Sequence, residues 1–350
     1  MDPLDPRAHD YVDPHHHFWD AYNPDNPNAL VQKHLLHRIP EREPPEREED
    51  DLEGTFSDQT PCVLHREPTV YLPQHYEEDL DGLFFGKTVH VEVLPDDGAK
   101  EAEWISYLAV MGRCRATGLV AACDLAADDA AAKLEAIVKS KAGKRVRGIR
   151  WILNYAGPLA EGEEPVVSKA TWHRVPHDYL SGEDEDAKAR WEKGYGLLVA
   201  HNLCFDLQCN PHQLAGAAAL CARHPSVPVV LDHFGHPRHL TGDAAADEPT
   251  LAVWRAGMTA LAALPHAHVK LSMFGYAMPN WWKDPVKEEQ LKILVRWVIE
   301  LFGAKRCMFA SNWPVDGVDG LTLPDMYSRC APSTTPRPLA PPPCSPLLCR

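Results

Sequence analysis

The amino-acid sequence predicts an α/β protein built as a (β/α)₈ TIM barrel, and three observations favour this fold class. Eight short apolar or β-branched runs alternate with seven longer segments of helical period, which is typical of repeated β-α units around a parallel sheet. The 350 residues suit one large barrel, and a hydrophobic content of 45% is ample for a buried core. Eight strands with seven crossovers favour a closed barrel over an open doubly wound sheet.

The predicted strands follow one another along most of the chain. They are YVDPHHH from Tyr11, KTVHVEVL from Lys87, GLVAACDL from Gly118, RVRGIRWIL from Arg145, LCFDLQC from Leu203, VPVVLDHFG from Val227, HVKLSMFG from His268 and RCMFASNW from Arg306. The segments between them keep apolar residues at steps of three and four. Two examples are AEWISYLAVMGRCRA and EEQLKILVRWVIELFG, the second of which ends at a glycine.

Two insertions and a tail depart from this rhythm. The first, at about 33–68, contains EREPPEREEDDLE and reads as a solvated loop, with an acidic clamp as the alternative. The second, at about 158–185, follows the fourth predicted strand and is expected to act as a lid. The barrel domain is predicted to span 1–323. Residues 324–350 are rich in proline, so we expect a disordered tail and no regular final helix.

Charge and cysteine usage narrow the class of partner. The formal net charge of -15 repels nucleic acid and anionic membranes at long range. The ten cysteines form no C-x-x-C pair, so neither a zinc ribbon nor a disulfide framework is indicated. We find no secretory leader and no apolar run near the roughly 20 residues of a membrane helix. We therefore expect a cytoplasmic protein that binds a small molecule, with homo-oligomerisation left open.

The first predicted strand carries three polar side chains at alternating positions, Asp13, His15 and His17. Side chains alternate across a strand, so these three are expected to share one face and to point into the barrel. Two imidazoles placed there could hold a metal such as zinc, or could polarise a bound carbonyl without a metal. A histidine-rich surface turn is the alternative.

Other predicted strands also end in polar residues. Only one of Asp232 and His233 should face inward, by the two-residue period. Arg150 is a charge inside an apolar strand, which is costly unless it meets a carboxylate of a ligand or of the protein. Four further residues repeat the same-face arrangement on two strands: Asp206, Gln208, Lys270 and Ser272. Polar residues at several strand ends indicate a site at the carboxyl end of the barrel.

Six segments, in their order and spacing, resemble the amidohydrolase-related barrels that include sugar-lactone hydrolases and 2-pyrone-4,6-dicarboxylate lactonase. They are VDPHHHFWD, VRGIRWIL, LCFDLQCNPHQL, VVLDHFGHP, VKLSMFGY and CMFASNWPVD. The resemblance covers about residues 11–316. It implies that His15 and His17 match the histidines of the first strand, that Arg150 binds a substrate carboxylate and that His233 polarises a carbonyl.

One position departs from the family's pattern. The lactonases of the family usually carry an aspartate in a GSDWP turn, where this chain has ASNWP with Asn312. An amide can hold a water but cannot accept its proton. Metal binding is affected too, because that aspartate is a ligand in metal-dependent relatives and Asp206 and Gln208 stand where those relatives have a histidine. A divalent metal, zinc or manganese, and a site without metal both stay open.

The sequence therefore predicts an enzyme, a hydrolase that opens the lactone ring of a small carboxylated or sugar-derived substrate. We expect catalytic roles for His233, Asn312 and Asp232, and metal binding by His15 and His17. The substrate is expected to contact Arg150, Asp206, Gln208 and Trp19. Asp316 is an alternative general base. A metabolite-binding barrel without catalysis is the main alternative function, and a metal-dependent decarboxylase is another.

Overall fold

The computed structural model describes residues 11–20, 70–157, 175–317 and 320–330. Ten strands lie in these ranges: β1 (Tyr11–His16), β2 (Trp19–Asp20), β3 (Val70–Tyr71), β4 (Phe85–Val91), β5 (Ala116–Ala122), β6 (Val146–Ile152), β7 (Cys204–Gln208), β8 (Val229–Leu231), β9 (Ala267–Leu271) and β10 (Cys307–Phe309). All but β2 and β3 form one parallel sheet in chain order. Each predicted run overlaps one strand of this sheet, and the TIM barrel is confirmed.

Helices connect the strands and cover the outside of the sheet. In the described ranges they are α1 (Pro73–Leu80), α2 (Gly98–Val110), α3 (Ala130–Lys139), α4 (Glu185–Gly196), α5 (Leu198–His201), α6 (Leu214–Arg223), α7 (Ala244–Ala262), α8 (Phe274–Ala277), α9 (Pro285–Phe302) and α10 (Leu323–Cys330). Four helices, α2, α4, α7 and α9, begin after an aspartate whose side chain accepts hydrogen bonds from backbone N–H groups of the first turn. Such caps fix where a helix starts.

The hydrophobic core lies between the sheet and its helices. On β7, the ring of Phe205 meets the rings of Trp191 and Tyr195 from α4, with centroid distances of 5.5 Å in both cases. The residues that face this core lie on one side of β6 and its continuation and on one side of β7: Ile149, Leu153, Phe205 and Leu207. Their neighbours Arg150 and Asp206 consequently face the interior of the barrel.

The barrel closes at a seam between β10 and β1. The described residues form no continuous ladder there, only a bridge between His16 and Trp313. Two backbone hydrogen bonds cross the seam, from His17 N to the Trp313 carbonyl at 2.9 Å and from Asn312 N to the His15 carbonyl at 2.7 Å. Both involve residues of the predicted site, so the seam also positions that site.

The end of the chain differs from the sequence-based expectation. Helix α10 begins at Leu323 and continues into the predicted tail, so the expectation that no regular helix follows the last strand was wrong for this stretch. Leu323 and Met326 are buried, and the ring centroid of Tyr327 lies 5.1 Å from that of Phe85 on β4. The helix is short but packs an apolar face, which the proline-dominated reading missed. The disorder predicted for 332–350 lies outside the described residues.

The two insertions are described in part. The acidic insertion lies outside the described residues apart from its flank, where β3 pairs antiparallel with β2, a two-stranded sheet that the sequence did not predict. Of the lid-like insertion only residues 175–185 are described. No helix in the described ranges has the length and apolar character needed to span a bilayer.

Candidate active site

The first strand does not carry its three polar residues on one face. The β1–β4 register pairs Asp13 with Thr88 and His16 with His90, so β1 has an extra residue between these pairs. Pro14, which lacks an N–H, lies in this irregular stretch, as is usual for a proline within a sheet. The carboxylate of Asp13 turns to the seam, where it accepts hydrogen bonds from Tyr76 and from the backbone and side chain of Ser311. The expectation that Asp13 points inward with the histidines was therefore wrong.

His15 and His17 do lie together inside the barrel, with their Nε2 atoms 3.2 Å apart. The Nδ1 of His17 donates to the Val91 carbonyl at 2.8 Å, which leaves Nε2 as an acceptor. Burial lowers the pKa of both imidazoles well below its usual range, and the nearby Lys270 and Arg150 add to this effect. Both rings are accordingly neutral, the form that binds metals.

Asn312 completes this group from beyond β10. Its Oδ1 lies 3.1 Å from the Nε2 of His17, while its Nδ2 donates to Asp316 Oδ1 at 3.1 Å. The other carboxylate oxygen of Asp316 accepts from Met273 N at 2.6 Å, and burial raises the pKa of Asp316 to about 7. Because Asp316 Oδ1 accepts from the amide nitrogen of Asn312, the amide oxygen is left facing the histidines.

A cluster of buried charges lies beside the histidines. Lys270 donates to Asp206, and its Nζ lies 3.3 Å from Asp232 Oδ1 and 3.2 Å from His15 Nδ1. Burial opposes the charge of Asp232, but Lys270 and His15 outweigh it and hold the pKa of Asp232 well below its usual range. Burial raises the pKa of Asp206. The cluster thus holds an ionised Asp232 next to a neutral imidazole.

Arg150 has a protein carboxylate as its main partner. Its Nε donates to Glu92 Oε1 at 2.6 Å and its NH2 to the Glu92 carbonyl at 2.5 Å. Only NH1 turns to the centre of the site, 3.4 Å from Gln208 Oε1 and 3.6 Å from Asp232 Oδ2. Glu92 is a charge inside an apolar run just as Arg150 is, and this signal was overlooked in the sequence.

Asp232 and His233 both face the interior, contrary to the expectation that only one could. Strand β8 ends at Leu231, and the chain then makes a left-handed turn with φ of 56° at His233, 39° at Phe234 and 78° at Gly235. The two-residue period stops where the strand stops. Left-handed backbone is costly for residues other than glycine and is found preferentially at functional sites.

His233 is held in this turn by a contact between its Nδ1 and the hydroxyl of Ser272, at 3.0 Å. Burial lowers the pKa of His233 to about 3, so the ring is neutral. Its centroid lies 5.0 Å from that of His15. Ligand atoms of His15, Asp232 and His233 all lie within 4.8 Å of one another, close enough to hold a metal ion.

The donor set of the site fits a divalent cation. His17 Nε2 lies 3.2 Å from His15 Nε2 and 3.1 Å from Asn312 Oδ1, and in the second pair two lone pairs face each other. Two facing acceptors repel one another unless a proton or a cation lies between them. Neutral imidazoles suit zinc, and an amide oxygen is an acceptable neutral ligand.

The structure thus brings most of the predicted site residues to one end of the barrel: His15, His17, Arg150, Asp206, Gln208, Asp232, His233 and Asn312. Trp19 lies apart, buried in β2 with its ring 5.7 Å from that of Tyr71. Its predicted contact with the substrate stays a prediction. The residues that sequence reasoning missed are Glu92 and Ser311, whose roles depend on long-range partners.

Three comparisons with known proteins bear on this site. A family model described as amidohydrolase matches residues 12–325. An L-fucono-1,5-lactonase of Burkholderia multivorans is 35% identical over 130 residues, 36% of this chain and 43% of the lactonase, so the match spans less than half of that relative.

Two solved structures share the fold. An amidohydrolase from Burkholderia multivorans with bound zinc has a TM-score of 0.58 and 24% identity over 87% of this chain and 84% of its own. A probable 2-pyrone-4,6-dicarboxylic acid hydrolase from Acinetobacter baumannii with citric acid bound has a TM-score of 0.54 and 13% identity over 92% of this chain and 91% of its own.

Proposed function

Because the chain belongs to the amidohydrolase family, we propose that it is a hydrolase that opens the ring of a small lactone by attack of water on the carbonyl. The observation that carries the proposal is the convergence of three neutral imidazoles with the ionised Asp232 at the carboxyl end of the barrel. Barrel enzymes place their chemistry at this end. The lactonase named above supports the choice of bond.

Three residues have separate roles in the proposed hydrolysis. Asn312 Oδ1 accepts a hydrogen bond from the attacking water and orients it. Asp232 is ionised and accepts the proton of that water as the new bond to carbon forms and the water becomes acidic, and neither of its oxygens accepts a hydrogen bond with good geometry from the described residues. His233, with Nδ1 on Ser272, is free to donate from Nε2 to the oxyanion that forms. The ring oxygen then leaves and takes up the proton.

A divalent cation, zinc or manganese, belongs to the proposal. His15, His17 and Asn312 would hold it, and when bound it would polarise the carbonyl or lower the pKa of water. We expect protein purified without added metal to contain about one equivalent. A His15→Ala and His17→Ala double variant should lose this metal and the rise in Tm that zinc causes, whereas a His16→Ala variant should keep both. His16 serves as the control because its Nε2 contacts Thr88 outside the barrel. If wild-type protein purified in this way contains no metal, the cation is not part of the proposed function.

Activity is tested on a panel of neutral and carboxylated lactones with acid release followed at constant pH. Asp232→Asn and His233→Gln should each lower kcat by roughly 10²–10⁴-fold. Asp129→Asn, an exposed aspartate of the same kind, is the matched control. Full activity in the Asp232→Asn variant would contradict its role as base.

A second candidate function is a metabolite-binding barrel without catalysis. The amide at Asn312 favours it, since the amide cannot accept the proton of water. Isothermal titration with the lactones and their ring-opened acids separates the two functions. Binding without turnover by protein loaded with zinc or manganese would favour the binding barrel.

A further inference from the structure

The interior of the barrel continues past the charged cluster into a layer of amides. Strand alternation places Arg150, Ile152 and Asn154 on the inner side of β6 and its extension, because Ile149 and Leu153 belong to the outer core. The ladder continues beyond β6, since Leu153 N donates to the Gln208 carbonyl at 2.8 Å. Asn154 therefore lies two layers above Arg150, nearer to the mouth of the barrel.

Asn154 is fully buried, and its side chain has no hydrogen-bond partner in the part of the chain that the structure describes. Both the amide oxygen and the amide nitrogen are unsatisfied. Leaving a buried polar group unpaired lowers the stability of the folded state, so natural proteins rarely keep one without a reason. An apolar residue of similar volume, such as leucine, would fill the same space without this cost.

The corresponding amide on the next strand is satisfied. Asn210 donates from Nδ2 to the Tyr155 carbonyl at 2.9 Å and accepts from Arg238 NH2 at 3.0 Å. Its backbone N–H also has a partner, Gln213 Oε1 at 3.0 Å. Two asparagines on neighbouring strand extensions thus differ in one respect. The side chain of Asn210 is hydrogen-bonded within the protein, whereas the amide nitrogen and the amide oxygen of Asn154 are both unpaired in the described residues.

We propose that Asn154 is a specificity-determining residue that binds a ring hydroxyl of a polyhydroxylated lactone. A hydroxyl both donates and accepts, so one hydroxyl can satisfy the oxygen and the nitrogen that Asn154 leaves unpaired. The position suits this role, because the reacting carbonyl would lie in the deeper layer with His233 and Asp232 while the hydroxyl-bearing carbons extend to the mouth. This inference rests on the proposed lactone hydrolysis.

The test compares Asn154→Leu with Asn210→Leu. Wild type and both variants are assayed on D-glucono-1,5-lactone and D-galactono-1,5-lactone, which carry hydroxyls, and on δ-valerolactone, which does not. Asn154→Leu should lose roughly tenfold in kcat/KM on the preferred hydroxylated lactone and less than about twofold on δ-valerolactone. Its Tm should be equal to or above that of wild type, because an unpaired buried amide has been removed. Asn210→Leu should lower Tm.

Equal losses on all three lactones, or no loss on any, would overturn the role of Asn154. A titration with D-gluconate and 5-hydroxypentanoate separates this outcome from failure of the proposed function. If wild type opens no lactone, lactone hydrolysis is wrong, yet selective loss of D-gluconate binding in Asn154→Leu would still support a hydroxyl site. Wild type that neither opens a lactone nor binds D-gluconate would overturn both.

Discussion

At the scale of single residues, Asn312 and Asp316 act as one unit. The amide nitrogen of Asn312 contacts the carboxylate of Asp316, and the amide oxygen faces His17. The carboxylate that the family resemblance leads one to expect at 312 thus has a counterpart one turn further along the chain. Its buried position and raised pKa distinguish it from a surface aspartate.

Exchanging the two residues should strengthen metal binding. Asn312→Asp alone would place two carboxylates within about 3 Å of each other and should lower stability. The double variant Asn312→Asp with Asp316→Asn keeps the hydrogen bond and the total charge, and it turns a charged oxygen to the histidines. We expect its zinc affinity to rise roughly tenfold or more, measured by competition with a chelating dye. An unchanged affinity would show that the amide is not near the cation.

Arg150 provides a second prediction at this scale. Lysine cannot donate at once to the carboxylate and the carbonyl of Glu92, so Arg150→Lys should lower stability by roughly 1–3 kcal/mol. If NH1 also binds a substrate carboxylate, kcat/KM should fall more for carboxylated than for neutral lactones. Equal losses of kcat/KM for the two kinds of lactone would show that Arg150 acts through its contact with Glu92 and does not bind a substrate carboxylate.

At the scale of elements, side chains complete the closure between the first and last strands. Asp13 on β1 accepts hydrogen bonds from Ser311 N at 3.0 Å, from Ser311 Oγ at 2.5 Å and from Tyr76 of α1 at 2.7 Å. These bonds tie three elements at the point from which His15 and Asn312 project. The seam therefore links the stability of the barrel to the geometry of the site.

Asp13→Ala should lower both the stability of the barrel and the affinity of the site for zinc. We expect a loss of about 3 kcal/mol in the free energy of unfolding, because the backbone N–H of Ser311 and the Tyr76 hydroxyl lose a buried acceptor. Zinc affinity should fall as well, since His15 and Asn312 approach each other across this seam. Tyr76→Phe, which removes one hydrogen bond and no acceptor, should be much milder, and urea denaturation with and without zinc compares them. Unaltered zinc affinity in Asp13→Ala would show that the hydrogen bonds of Asp13 do not position His15 and Asn312 for the cation.

An ion pair outside the barrel connects α4 to α6. Arg223 donates to both oxygens of Glu192, at 2.8 Å and 2.6 Å, and with the nearby His224 it lowers the pKa of Glu192 to about 2. The pair should stabilise the fold above the ordinary pKa of glutamate, and this contribution should be lost as the pH falls through about 2. The Tm difference between wild type and Glu192→Gln should therefore vanish in acid. In an Arg223→Ala background, Glu192→Gln should show little pH dependence.

At the scale of the whole molecule, periodicity alone was sufficient to predict the eight barrel strands. It failed where the chain leaves regular structure. The bulge at Pro14 turned Asp13 away from the histidines, and the left-handed turn after β8 brought in both Asp232 and His233. Glu92 and Ser311 became visible only through partners 58 and 298 residues away in the chain. Local sequence patterns determine where the strands form, whereas contacts between residues far apart in the chain determine which side chains make up the site.

The interrupted pairing at the seam has a consequence for amide hydrogen exchange. Strands β5, β6 and β7 have ladder partners on both sides, whereas β1 and β10 each have one ladder partner in the described ranges. Opening of the barrel should begin where the fewest backbone bonds must break. The backbone amides of β1 and β10 should accordingly take up deuterium before those of β6. A zinc ion joining His15 and His17 to Asn312 should slow this uptake at the seam more than elsewhere, so that binding of the cation closes the ring of strands.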